Sequence, residues 1–202
     1  MAQTGSDGLF KVGGLLMRYG LRNYATNSAP ANGSSGFGAG LTVPGSRVTD
    51  SVSGVVWINV GTKAAPVWSP LSPPSIALTS ANLLAMNGAA VNLIAAPPSG
   101  YFIIVDNLIF VMTRTATAYA SGGALTFQYT AGVSVTTGTI PASVLTTAGA
   151  AITQTQLGPI SGASGTVVPV ATGIEVTNAT GAFTTGTGTA KVVIDYRIVK
   201  QA

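Results

Sequence analysis

The sequence predicts an all-β chain: a β-sandwich of jelly-roll type, preceded by an extended N-terminal arm and a small β-hairpin module. Three observations lead there. Short β-rich runs recur between Gly and Pro turns from about residue 75 onward, the pattern of sandwiches and jelly rolls. The last of them, Ala190 to Val199, alternates Val192, Ile194, Tyr196 and Ile198 with Lys191, Val193, Asp195, Arg197 and Val199, as a strand with one buried face does. The composition also replaces charge with small and β-branched residues. Only 7% of the 202 residues are charged, and 26 are Gly and 26 Thr, whereas an ordinary soluble domain is about 25% charged.

Three zones follow in order. Residues 1–50 are the predicted arm. Leu9 to Tyr24 is apolar and basic, but glycines at 13, 14 and 20 argue against a helix. Ala25 to Ser46 carries Gly33, Gly36, Gly38, Gly40, Gly45, Pro30 and Pro44 among Ser, Ala and Asn. Such a stretch buries too little surface to fold by itself and reads as a linker. Residues 51–74 hold the hairpin: Val55-Val56-Trp57-Ile58-Asn59-Val60, the turn Gly61-Thr62-Lys63, then Pro66-Val67-Trp68. Ser69 to Pro74, with three prolines, is a stiff spacer.

Residues 75–202 are the predicted sandwich. Ile76 to Thr79 is a strand. Ser80 caps a helical turn over Ala81–Met86, with Asn87-Gly88 as a left-handed stop. Val91 to Ala95 and Tyr101 to Thr117 follow. Asp106-Asn107 within the long run is either a hairpin turn or a kink in one continuous strand, and the lack of glycine favours the continuous strand. Ala124 to Thr130, Gly132 to Thr139, Thr166 to Val170 and Ile174 to Thr177 are further strands, Val144 to Thr153 is ambiguous, and Ala190 to Val199 closes the set.

The chemistry is bounded by what the chain lacks. It has no His and no Cys, and its five acids (Asp7, Asp50, Asp106, Glu175, Asp195) stand at least 20 positions apart. Imidazole–hydroxyl catalysis, zinc or iron ligation and disulfides have no residues to use. Paired-carboxylate chemistry has no local support. Gly36, Gly38 and Gly40 are not followed by the Gly-Lys-Ser/Thr of a phosphate loop. The expectation is a non-enzyme with no cofactor and no metal. Mean hydropathy is high, +0.49, yet the most apolar run, Tyr101 to Met112, is interrupted by Asp106 and Asn107 and falls short of the about 20 residues a spanning helix needs. No basic region leads into an apolar one at the N-terminus, so neither a signal peptide nor a membrane partner is expected.

The formal net charge is +4, and residues 1–70 supply most of it through Lys11, Arg18, Arg22, Arg47 and Lys63. Three bases in 12 residues (Lys11, Arg18, Arg22) are too few for a phosphate-tracking face, so no direct nucleic-acid contact is expected. Trp57 and Trp68 are either partner anchors or, more simply, packed on each other across the hairpin. Arg114 and Asp106, both in the apolar run, read as edge- or loop-facing charges. Asn32-Gly33-Ser34 and Asn178-Ala179-Thr180 match the glycosylation pattern by chance. The Thr-rich stretch 184–189 reads as a surface loop, with sugar binding as the sharper alternative.

Four segments carry a resemblance: Leu78-Thr79-Ser80-Ala81-Asn82-Leu83-Leu84-Ala85-Met86; Ala95-Ala96-Pro97-Pro98-Ser99-Gly100; Ala118-Tyr119-Ala120-Ser121-Gly122-Gly123-Ala124-Leu125; and Gly186-Thr187-Gly188-Thr189-Ala190-Lys191-Val192 before Asp195-Tyr196-Arg197. In this order they resemble capsid decoration (cement) proteins of tailed bacteriophages. The hairpin Trp57-Ile58-Asn59-Val60-Gly61-Thr62 with Pro66-Val67-Trp68 resembles a module of phage head-fibre and tail-fibre proteins. The resemblance implies a virion structural protein on the outer surface of the head, made in the host cytoplasm and commonly trimeric. It further implies binding to the major capsid protein; a fibre that binds a host-surface glycan is the alternative. It supplies no catalytic residues.

A charge-poor chain must hide apolar patches, and closed symmetry hides them without polymerisation. A homotrimer is the resulting expectation. The candidate capsid or subunit contacts are Leu9, Phe10, Lys11, Leu16, Met17, Arg18, Tyr19, Arg22, Tyr24, Trp57 and Trp68.

Overall fold

The protein is described by a computed structural model covering residues 9–12, 15–18, 23–159 and 167–201, and it divides into two compact units, Met1–Leu71 and Ser72–Ala202. Both are built from strands. No helix among the described residues is long and apolar enough to cross a membrane.

In the first unit, β1 (Leu9–Val12) and β2 (Leu15–Arg18) form a two-stranded antiparallel ladder. A four-stranded sheet follows in chain order: β3 (Asn23–Thr26), β4 (Arg47–Asp50), β5 (Val56–Asn59) and β6 (Trp68–Pro70). The β3–β4 pairing is parallel and the other two are antiparallel. Between β4 and β5 the Asp50 carboxylate accepts from the Val52 N–H at 3.0 Å and from the Ser53 hydroxyl at 2.6 Å. The Ser53 hydroxyl is the main reason its pKa lies below the ordinary carboxylate value.

The predicted partition needs correcting. Residues 25–46 are not a free linker, and the hairpin is not a separate module over 51–74. Tyr24 and Ala25 pair with Val48 and Thr49, and Thr42, Ser46 and Val48 are fully buried. The hairpin has two large indoles to cover and too few residues of its own, so the preceding segment folds over it. The boundary accordingly falls after Leu71.

The second unit comprises β7 (Ser75–Leu78), α1 (Ser80–Ala85), β8 (Val91–Ile94), β9 (Tyr101–Arg114), β10 (Ala120–Ser121), β11 (Thr126–Tyr129), α2 (Ser143–Thr146), β12 (Ala151–Leu157), β13 (Ile174–Thr177), β14 (Phe183–Thr185) and β15 (Thr189–Lys200). A four-stranded sheet of order β12-β9-β15-β7 faces a three-stranded sheet of order β11-β13-β8, giving an all-β, sandwich-like fold. The Phe110 and Phe127 rings join the layers edge-on, centroids 6.4 Å apart. The Tyr129 hydroxyl donates to the Ile103 carbonyl at 2.6 Å.

The long run is one strand, as its lack of glycine predicts. Its inward residues are Ile103 and Val105, then Leu108, Phe110 and Met112, so the alternation changes phase at Asp106-Asn107. The partner strand β15 keeps strict alternation through Ala190, Val192, Ile194, Tyr196 and Ile198. The mismatch is absorbed by a bulge: Asp195 pairs with Asn107 and Tyr196 with Val105, leaving Asp106 as the extra residue.

Smaller departures have local causes. The helix N-cap is Thr79 rather than Ser80, because the Thr79 side chain and Asn82 close a reciprocal capping box. Its C-terminal end closes through the Gly88 and Ala89 N–H groups onto the Ala85 carbonyl, with Met86 right-handed, so Asn87-Gly88 is not a left-handed stop. Gly132–Thr139 returns beside β11 through isolated bridges rather than as a strand. The ambiguous Val144–Thr153 resolves into α2 and the start of β12. The Thr-rich patch contains β14, paired with β10. There Tyr119 packs edge-on against Phe183 at 5.5 Å and donates to the Gly188 carbonyl at 2.7 Å. A Cβ on Gly186 would sit 2.5 Å from that ring, so the closeness of the ring requires glycine.

Three interior tyrosines set the response to alkali. Burial raises Tyr119 from 10.0 to about 12, and burial also raises Tyr129 and Tyr196. Their folded state holds the proton that the unfolded chain releases, so their contribution to stability is complete below pH 10.0 and is lost as pH rises toward about 12. Chemical denaturation of the second unit should show a flat stability up to about pH 10 and a fall above it. Tyrosinate absorbance from these residues should appear with unfolding and not before.

Candidate functional site

The first unit carries most of the candidate contact residues. The β1–β2 ladder pairs Leu9 with Arg18, Phe10 with Met17, Lys11 with Leu16 and Val12 with Leu15. The segment read as apolar and basic is therefore a paired strand hairpin. Tyr19 and Arg22 lie outside the described residues.

Trp57 and Trp68 belong to the interior instead, which corrects their reading as partner contacts, and Tyr24 is half-buried beside them. Trp68 is 1% exposed. Its ring meets Phe37 at 6.0 Å, and Phe37 in turn meets Tyr24 edge-on at 6.0 Å. The Trp68 indole N–H donates to the Phe37 carbonyl at 3.2 Å, and its backbone N–H donates to the Asn32 side chain at 2.7 Å. Register sets Trp57 opposite Pro70 and Trp68 opposite Asn59, so the indoles are diagonal and not face to face. Asn32 is thereby committed to the fold, and Asn178 is completely buried. The Asn178 pattern therefore offers no accessible amide.

Asn59 holds the unit together, and nothing in its sequence context singles it out. Its side chain is 1% exposed. It donates to the Thr42 carbonyl at 3.1 Å and accepts from the Gly61 and Val67 N–H groups at 2.9 and 3.1 Å. One amide therefore ties the hairpin turn to the segment before β4. Beside this core, an open depression of about 700 Å³ is lined by Thr26, Asn27, Pro30, Ser35, Phe37 and Ser51 among others, none ionisable. The Thr26 and Ser51 hydroxyls already donate to the Ser28 and Thr26 carbonyls.

Among the described residues the carboxylates do not converge on a cleft. Glu175 accepts from the Gln128 amide at 2.8 Å. Asp106 pairs with Arg197 at 3.2 Å on the solvent side of the bulge, with Asp195 in adjacent register. Arg114 donates to the Thr147 carbonyl, an exposed contact, so neither charge forms a buried pair, in line with their edge- or loop-facing reading. No group of three or more His, Cys, Asp or Glu is placed to hold a metal among the described residues.

The second unit adds a feature the alternation pattern did not flag as a surface for contact. On the outward side of β9 and β15, Phe102, Ile104, Ile109, Val111, Val193 and Val199 are all half-buried. They pair in rows with Arg197, Lys191 and one another. A face this apolar, sparsely charged, suits contact with another protein surface. The signal in the sequence was present: Val193 and Val199 occupy positions where an outward register calls for polar residues. No protein family, curated protein or solved structure matches the chain.

Replacing Asn59 with Ala should strand two buried N–H groups, at a cost of about 1–3 kcal/mol each. Both tryptophans lie in the first unit, so their fluorescence reports that unit alone. Asn59→Ala should lower the denaturation midpoint read by tryptophan fluorescence, with less change in the second unit's signal.

Proposed function

We propose that this chain is a bacteriophage virion structural protein, a capsid decoration or cement protein that binds the outside of the head and bridges neighbouring major capsid subunits. The observation that carries the reading is the combination in one charge-poor chain of a β-sandwich with an apolar outer sheet face and an N-terminal strand hairpin of apolar and basic sequence. The order of the strand and turn segments that resemble cement proteins supports it.

The mechanism is burial rather than chemistry. The apolar N-terminal hairpin and the sheet face lie against capsid subunits, and the charges of Lys11 and Arg18 suit an acidic shell surface. Each 1,000 Å² of apolar surface covered contributes about 25 kcal/mol gross, before large ordering costs. Spread over a seam, this resists separation of subunits under the pressure of packaged DNA. The charged share of the attachment is screened by salt.

Stoichiometry tests the proposal. Quantitative mass spectrometry of purified particles should find the chain in fixed proportion to the major capsid protein, distributed over the whole shell. Confinement to one vertex or the tail would favour a host-binding fibre, and absence from particles would remove the capsid reading.

A further inference from the structure

The four-stranded sheet ends at β12, and this edge differs from the other edges of the second unit. β7 spans four residues and follows Pro73-Pro74; β8 spans four and precedes Pro97-Pro98. The free side of β11 is met by Val133 and Val135, which bond to Tyr129 and Phe127. Short length, flanking proline and a covering segment are the usual protections of a sheet edge. β12 is guarded only past its C-terminal end, where Gly158 and Pro159 meet Thr137 and Thr136. It runs seven residues, Ala151-Ile152-Thr153-Gln154-Thr155-Gln156-Leu157, without charge, proline or bulge. Among the described residues its backbone ladder is made to β9 alone. Ile152 stands 74% exposed upon it.

We propose that β12 is a self-association edge: β12 of one copy pairs antiparallel with β12 of a second copy across a two-fold axis at Gln154, joining two four-stranded sheets into one of eight strands. The strand itself selects this occupant. Pairing identical strands sets like residues near one another, which is costly wherever they carry charge, and β12 carries none. Centred on Gln154, the register opposes Thr153 with Thr155, a favourable cross-strand pair, and lays the methylenes of Gln156 against Ile152, covering its exposed side chain. A two-fold contact closes after two copies. A trimer made through β12 would need a second, different edge to receive it, and the other edges of this unit are short or covered. The contact therefore yields a dimer rather than the trimer expected from the sequence, and it stands independently of the capsid reading.

Residue 154 faces itself only in this arrangement, which gives a discriminating test. Sedimentation velocity of the full chain over rising concentration should show a monomer–dimer equilibrium. Gln154→Lys and Gln154→Glu, both at an exposed side chain, should each leave the circular dichroism spectrum unchanged and weaken association by about ten-fold or more, equivalent to about 1.4 kcal/mol. An equimolar mixture of the two should recover dimer, and added salt should erode that recovery. A wild-type chain that stays monomeric or forms trimers overturns the proposal. So do variants that associate as the wild type does, or dissociated variants that fail to recover on mixing.

Discussion

The β9–β15 ladder is the constraint on which the second unit rests. Twelve cross-strand pairs run from Thr189–Thr113 to Lys200–Tyr101, and β15 keeps one inward parity throughout. β9 cannot match it, because its apolar residues change parity between Val105 and Leu108. Without a correction, one half of β9 would present its apolar residues to solvent, since a one-residue slip exchanges the faces. The bulge at Asp106 supplies that correction, letting Ile103 and Val105 at one end, and Leu108, Phe110 and Met112 at the other, all enter the same core. The exposed pair between Asp106 and Arg197 accompanies the bulge but contributes little, as surface pairs generally do.

The first unit solves a different problem. It has few large apolar residues and many glycines, so its stability depends on satisfying polar groups around one indole. Trp68 is enclosed by Phe37 and tied by Asn32, while Asn59 bridges the turn and the segment at Thr42. Partly satisfied buried polar networks are costly, which makes this unit sensitive to single amide substitutions. The charge-poor surface is the common thread. It permits apolar and uncharged polar faces, such as the outer side of β9–β15 and the edge of β12, that a monomer in dilute solution would ordinarily protect.

Strand periodicity was legible where one face is buried and the other wet. Val192 through Ile198 announced β15, and the lack of glycine at Asp106-Asn107 announced a through-strand; the phase change there was legible too, since Val105 and Leu108 have opposite parity. The fold of residues 25–46 was not legible, because its contacts come from isolated residues (Asn32, Phe37, Thr42) whose partners lie 17 to 36 positions away. Composition reports average burial, and here a few anchors outweigh it. The candidate site divided along the same line. The basic, apolar N-terminal hairpin lay in a compact pattern, whereas Trp57 and Trp68 could be assigned to core or surface only once Phe37 and Pro70 were seen beside them.

Attachment of the chain to a capsid through its N-terminal hairpin is the central claim, and one binding measurement bears on it most directly. Purified heads lacking the protein are incubated with the full chain and with a chain beginning at residue 23, which retains β3 to β6 and the whole sandwich. The account predicts that the full chain binds and is released progressively by salt, whereas the shortened chain keeps the same tryptophan-fluorescence midpoint and does not bind. Equal binding of both chains, or no binding of the full chain, would contradict it.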